Sequence, residues 1–153
     1  MLLALGNGGS ATDAMDIVAD LSRPLPGGAG AARRALDLSA DPAIVTAIAN
    51  DIGPQAVFTR QGIAYGGAGD ALIAFSTSGD SRSVADALAE ARRRGLVTIA
   101  LVGYDGGRVA ADGLADHLIV SRSQHIPRIQ EAHATVSHLL RELIEAEGAG
   151  ARP

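Results

Sequence analysis

The sequence of 153 residues has no cysteine, no lysine and no tryptophan. Without cysteine there is no disulfide, no thiolate nucleophile and no cysteine-bound metal. Without lysine there is no Schiff base on a side-chain amine. Aromatic residues make up 3% of the chain, so its 47% of apolar residues are chiefly Ala, Val, Leu and Ile, and the core must be built from these. No apolar run approaches the ~20 residues that cross a bilayer, and no signal-peptide pattern opens the chain. The formal charge is −4, and no basic cluster exceeds Arg92-Arg93-Arg94. That triplet falls at a predicted helix end, where cations complement the dipole. These shortages argue against nucleic-acid and membrane partners and lead us to expect a cytoplasmic protein. The length suits a single domain, residues 1–147, followed by a flexible Gly/Ala-rich tail, 148–153.

What is present alternates between two periods. Met1 to Leu5, Asp70 to Phe75, Leu96 to Val102 and His117 to Val120 read as buried strands, and Ala35 to Leu38 as a short one. Between them, Ala11 to Leu21, Pro42 to Asn50, Pro54 to Tyr65, Arg82 to Arg94, Arg108 to Ala111 and Ile126 to Glu147 read as helices. Pro42 stands at a first helical position and Gly95 at a C-terminal cap. Helices alternating with strands over the whole length imply an α/β sandwich of three layers, with a mostly parallel sheet between helices. The Pro/Gly-rich stretch from Ser22 to Ala31 cannot continue a helix and reads as a surface loop, a candidate lid or subunit contact.

Two turns follow strands and precede helices. In Ser76-Thr77-Ser78-Gly79-Asp80-Ser81, four hydroxyls cluster where free N–H groups and the positive end of a helix dipole attract an anion, which makes a phosphate cradle. One hydroxyl would suffice for an ordinary N-cap. The other turn, Gly6-Asn7-Gly8-Gly9-Ser10, lets backbone approach a ligand closely. Within it Ser10 reads as the N-cap and Asp13 as the acid of a capping box. In open parallel sheets ligands collect beyond the carboxyl ends of the strands, so both turns can face one ligand. Asp16 and Asp20 lie four apart on the first helix, and Gln130, His133 and His138 interrupt the apolar pattern of the last. Two carboxylates, an amide and an imidazole suit a divalent metal or proton transfer. The aspartates equally suit a solvated helix face, and His138 a satisfied core or interface position.

Those two turns, together with Gly103-Tyr104-Asp105-Gly106-Gly107 and Arg128-Ile129-Gln130-Glu131-Ala132-His133, resemble the sugar isomerase (SIS) domains of the phosphoheptose isomerase group. The resemblance implies a flavodoxin-like, doubly wound sheet of five strands and a phosphosugar ligand. It also implies conversion of sedoheptulose 7-phosphate to a heptose 7-phosphate through an enediol. By the same resemblance Ser76, Thr77, Ser78 and Ser81 hold phosphate, while Asn7, Gly8, Gly9, Ser10, Asp51 and Gln130 contact the sugar. Asp20 and His138 are the catalytic pair, and Asp16, Asp20, Gln130 and His138 surround a divalent metal, zinc by resemblance. No nucleotide cofactor is expected. At the positions of Asp16 and Asp20 the family places His and Glu, so this sequence has a hard oxygen for a nitrogen and a carboxylate one methylene shorter. The family also carries a helical hairpin before the first strand, used in tetramer contacts, whereas here a strand begins at residue 2. The expectation is a homo-oligomer, tetrameric by resemblance. The alternative is a non-catalytic SIS protein that binds a phosphosugar or a replication-initiator protein.

Overall fold

Five parallel strands, β1 Leu2–Gly6, β2 Ala35–Asp37, β3 Ala71–Ser76, β4 Val97–Gly103 and β5 His117–Ser121, form one sheet in the order β2-β1-β3-β4-β5. These are seen in a computed structural model that describes residues 1–23 and 32–150. Leu2 pairs with Ala35 on one side and Ala71 on the other, and Ala71 with Val97, so successive strands start level. This is the doubly wound sheet the sequence implied. The strands alternate strictly between two apolar faces, as a sheet covered on both sides requires. Leu3, Leu5, Leu72 and Ala74 point to one core, and Ala4, Ile73 and Phe75 to the other.

Against the first face pack α2 (Pro42–Asp51), α3 (Val57–Tyr65), α4 (Arg82–Arg93) and α5 (Gly107–Ala111). Asp41 caps α2, accepting from the Ala43 and Ile44 amides at 2.8 and 3.2 Å, with Pro42 just inside the helix. The helix expected over Pro54 to Tyr65 opens as a 3-10 turn, Pro54–Ala56, before α3. Gly95 follows α4 with φ of 81°, the left-handed conformation that ends a helix. Against the second face pack α1 (Gly9–Ser22) and α6 (Ile126–Gly150). Ala14, Ile17 and Leu21 of α1 are buried as the spacing demands. On α6 the pattern is less faithful. Ile129 is buried, but Ile126, Leu139 and Leu143, expected in the core, are 47, 52 and 64% exposed. The core positions of α6 are taken instead by His133 and Ser137. The expected lid at Pro24 to Gly30 lies outside the described residues. Among those residues no helix is long and apolar enough to cross a membrane.

Candidate phosphosugar site

Strand order reverses direction between β1 and β3, and a crevice opens there beyond their carboxyl ends. The two turns singled out in the sequence leave these two strands. Asn7, Ser10, Phe75, Ser76, Thr77, Ser78 and Ser81 line a single cavity of about 180 Å3. A larger one, about 480 Å3, lies at the ends of β4 and β5 against Tyr104, Asp105, Arg122, Ser123 and Gln124, and none of the candidate residues reaches it.

The hydroxyls of the cradle are not used as helix caps. Ser81 is the N-cap residue of α4, but its side chain makes no capping bond. Its Oγ instead accepts from Asn7 Nδ2 at 2.9 Å and shares a hydrogen bond of 3.1 Å with Ser83 Oγ. Asn7 Nδ2 donates to Ser83 Oγ as well, at 3.0 Å, tying the two turns together. Ser76 Oγ accepts from the Gly79 amide at 3.1 Å and Ser78 Oγ from the Asp80 amide at 3.2 Å. An accepting hydroxyl keeps its own O–H free to donate. Several hydroxyls at the start of α4 therefore line one cavity, whose lining residues carry no charged side chain, a neutral donor array suited to phosphate.

Glycine is required where these turns meet their neighbours. Gly79 has φ of 71°, and a Cβ there would collide with the Gly106 carbonyl. The second turn is braced from β2. Ser39 Oγ donates to the Gly6 carbonyl at 2.9 Å, and the Ser39 amide donates to Asp37 Oδ1 at 2.7 Å. Asp37 is buried, and burial raises its pKa above the ordinary aspartate value, partly opposed by its bonds from Ser39.

The capping-box reading of Ser10 and Asp13 is corrected. α1 begins at Gly9 with Gly8 as N-cap at φ 54° and no side-chain cap, so Ser10 lies inside the first turn and Asp13 points inward. Asp13 is buried against His133, with Oδ2 3.8 Å from Nδ1. Neither that oxygen nor either imidazole nitrogen has a hydrogen-bond partner. The His133 ring leans on Phe75, with centroids 6.0 Å apart, and Phe75 lines the cradle.

The other candidates distribute along the seam between α1 and α6. Gln130 stands over the start of α1, where a methyl at Gly9 would come within 2.6 Å of its Nε2. Asp16 and His138 are exposed. Asp20 accepts from Arg141 Nη1 at 2.8 Å, and Arg141 also donates to Glu145 Oε1 at 3.0 Å. Those two carboxylates hold the guanidinium, its side chain 15% exposed, and raise its pKa, Glu145 most strongly. Asp20 stands ten residues beyond Ser10, about 15 Å along α1 at ~1.5 Å per residue. Asp51 lies at the end of α2, accepts from Asn50 Nδ2 at 2.8 Å and lines neither cavity. Among the described residues no three His, Asp or Glu side chains form a group that could hold a metal. Sequence reasoning missed Ser83, Ser39 and Arg141. Ser83 and Arg141 lie within helices and Ser39 in the turn after β2, where a lone Ser or Arg gives no periodic signal, and only the fold shows what each meets.

A doubly wound sheet with a neutral, hydroxyl-rich crevice at its switch point defines the class, a flavodoxin-like α/β domain of the ligand-binding kind. Residues 1–103 match the family model for the SIS domain. The phosphoheptose isomerase of Citrifermentans bemidjiense is 44% identical over 153 residues, covering 95% of this chain and 74% of that protein. Among solved structures, a phosphoheptose isomerase from Neisseria gonorrhoeae superposes with a TM-score of 0.86 at 38% identity, over 95% of this chain and 76% of that one. One from Francisella tularensis gives 0.88 at 30% identity, with the same coverage. The chain belongs to the phosphoheptose isomerase family of SIS-domain proteins.

Proposed function

We propose that the protein is an aldose–ketose isomerase that converts sedoheptulose 7-phosphate to a heptose 7-phosphate, through a single phosphosugar-binding domain; the tail expected from residue 148 is helical as far as Gly150, and 151–153 lie outside the described residues. The observation that carries this reading is the uncapped, hydroxyl-rich start of α4, tied through Asn7 to the glycine turn within one cavity. Ser76, Thr77, Ser78 and Ser81 bind the phosphate. Asn7, Ser10 and Gln130 take the sugar hydroxyls, with Gly8 and Gly9 giving backbone room. Binding energy from the phosphate, remote from the reacting carbons, is used to hold C1 and C2 in place. Asp20 takes the proton from one carbon and returns it to the next, and His138 moves the proton between the sugar oxygens. The distance of Asp20 from the cradle supports a homo-oligomer, tetrameric by family resemblance, in which one copy's reacting groups serve another's phosphate site. Asp51 belongs to the same neighbour-dependent part.

A divalent metal such as zinc would draw on Asp16, Asp20, Gln130 and His138. Within one chain these do not fit it, because Asp20 is bonded to Arg141 and the acidic and imidazole groups do not cluster. The mechanism runs no step through a metal. The same ion pair favours the second reading, a non-catalytic phosphosugar-binding or replication-initiator-binding regulator, since it occupies the base. Incubation with sedoheptulose 7-phosphate, following the aldose product, separates the two. Turnover is expected, with Ser81→Ala weakening phosphosugar binding about tenfold through loss of a charge-assisted hydrogen bond. Tight binding without turnover would leave only the regulator.

A further inference from the structure

The seam between α1 and α6 is a polar ladder in constant register. Gly9 faces Gln130, Asp13 faces His133 and Asp20 faces Arg141. The offset between partners is 120 or 121 residues at every rung, as expected of two helices running in the same direction at equal rise. The last rung is the tightest and the only one of the three with a full guanidinium charge. Arg141 Nη1 lies 2.8 Å from Asp20, while its Nε is fixed by Glu145 one turn farther on, so the fork cannot swing away without breaking two ion pairs. Arg141 follows His138 by three residues, which puts both on one stretch of helix surface.

We infer that Arg141 is a positioning residue that takes the place of a divalent cation at Asp20. The inference rests on the reading of the α1/α6 seam as the reacting end of the site. An arginine is always protonated and cannot be titrated away, so its charge beside the carboxylate is permanent. A dication brought to the same carboxylate would sit within a few ångströms of that charge and be repelled. The guanidinium also anchors one oxygen of the Asp20 carboxylate, as a metal would. The shorter Asp20 is matched to this partner, because the long arginine spans the gap between the helices that the aspartate leaves.

The test uses the full chain stripped with a chelator and titrated with zinc or manganese ions alone. Wild type is expected to bind zinc no more tightly than Asp20→Asn. Arg141→Gln, which frees the Asp20 carboxylate, is expected to bind at least tenfold more tightly than wild type, and Arg141→Gln with Asp20→Asn to lose that gain. One zinc per chain in the wild type that disappears in Asp20→Asn would overturn the inference, as would an Arg141→Gln chain that folds without gaining affinity. If Arg141→Gln fails to fold, the comparison of wild type with Asp20→Asn decides alone. Turnover of sedoheptulose 7-phosphate is assayed in parallel with chelator present. Its absence while the binding results run as expected removes the isomerase reading and leaves the ion-pair inference standing.

Discussion

The cradle at the β1/β3 switch point and the seam between α1 and α6 contrast in how their polar groups are satisfied. In the cradle Asn7, Ser76, Ser78, Ser81 and Ser83 each have a short neutral partner. Asn7 meets Ser81 and Ser83 within 3.0 Å, and two amides fold back on Ser76 and Ser78. Along the seam the partners are ionic or missing. Asp20 is held by Arg141, while Asp13 and His133 are buried 3.8 Å apart with unbonded atoms. Neutral, prepaid geometry suits a group that binds a fixed dianion without being changed by it. Unsatisfied buried polarity is costly, and here it lies between the two ends, beside the Phe75 that also lines the cradle. The proposed function assigns holding to the first of these ends and reaction to the second.

The largest expected effect strikes the holding end. Gly79→Ala places a Cβ against the Gly106 carbonyl at a backbone φ of 71°. A left-handed non-glycine residue costs about 1–2 kcal/mol and overpacking about 1–3 more. A loss of about 3 kcal/mol in urea unfolding is expected, with phosphosugar binding lost alongside it. If binding survives at full strength, the turn does not shape the cradle and the contrast fails at its firmer end.

The seam is sharpened by His133. His133→Ala opens a void beside Phe75 and removes the polar side chain that faces the buried Asp13. A cost of about 3 kcal/mol is expected, and Asp13→Ala combined with it should cost clearly less than the sum of the two single changes. The informative reading is kinetic. If the ends divide their work as argued, KM for the phosphosugar moves less than threefold while kcat falls at least tenfold. Equal changes in both would merge the two ends into one.

How much of this contrast the sequence discloses follows from what each end is made of. The sheet and the cradle are legible because their signals are local. Continuous apolar runs mark β1, β3 and β4, and Ser76 to Ser81 lie consecutively between a strand and a helix. The seam is not legible, since its rungs join residues 120 or so apart in the chain. Asp13 has the spacing of a capping box, and only the start of α1 at Gly9, set by the left-handed Gly8, turns it inward. On α6, Leu139 and Leu143 obey the helical period yet face outward, while His133 and Ser137 take buried positions. Periodicity fixes a face of a helix but not which face meets the sheet, and a buried histidine outweighs no leucine in such a count.

The smallest effect probes how the holding end is itself supported. Asp37 steadies Ser39, which braces Gly6 at the entry to the glycine turn. Its carboxyl is buried, one oxygen has no partner, and burial raises its pKa. Between the ordinary aspartate value and the raised native one, the native chain binds more protons than the unfolded chain, so stability falls as pH rises through that window. Above it both states are ionised and the cost of the buried charge is fully present. Asparagine keeps the oxygen that accepts from the Ser39 amide and removes the charge. Asp37→Asn should therefore gain on the order of 0.5 kcal/mol at neutral pH, with the advantage shrinking as the pH is lowered. Urea unfolding of both proteins from about pH 4 to pH 7 measures the difference. Parallel curves would mean that the charge of Asp37 adds no strain to the brace. In that case Asp37 would support the cradle as an ordinary ionised carboxylate, and the contrast with the ionic seam would narrow.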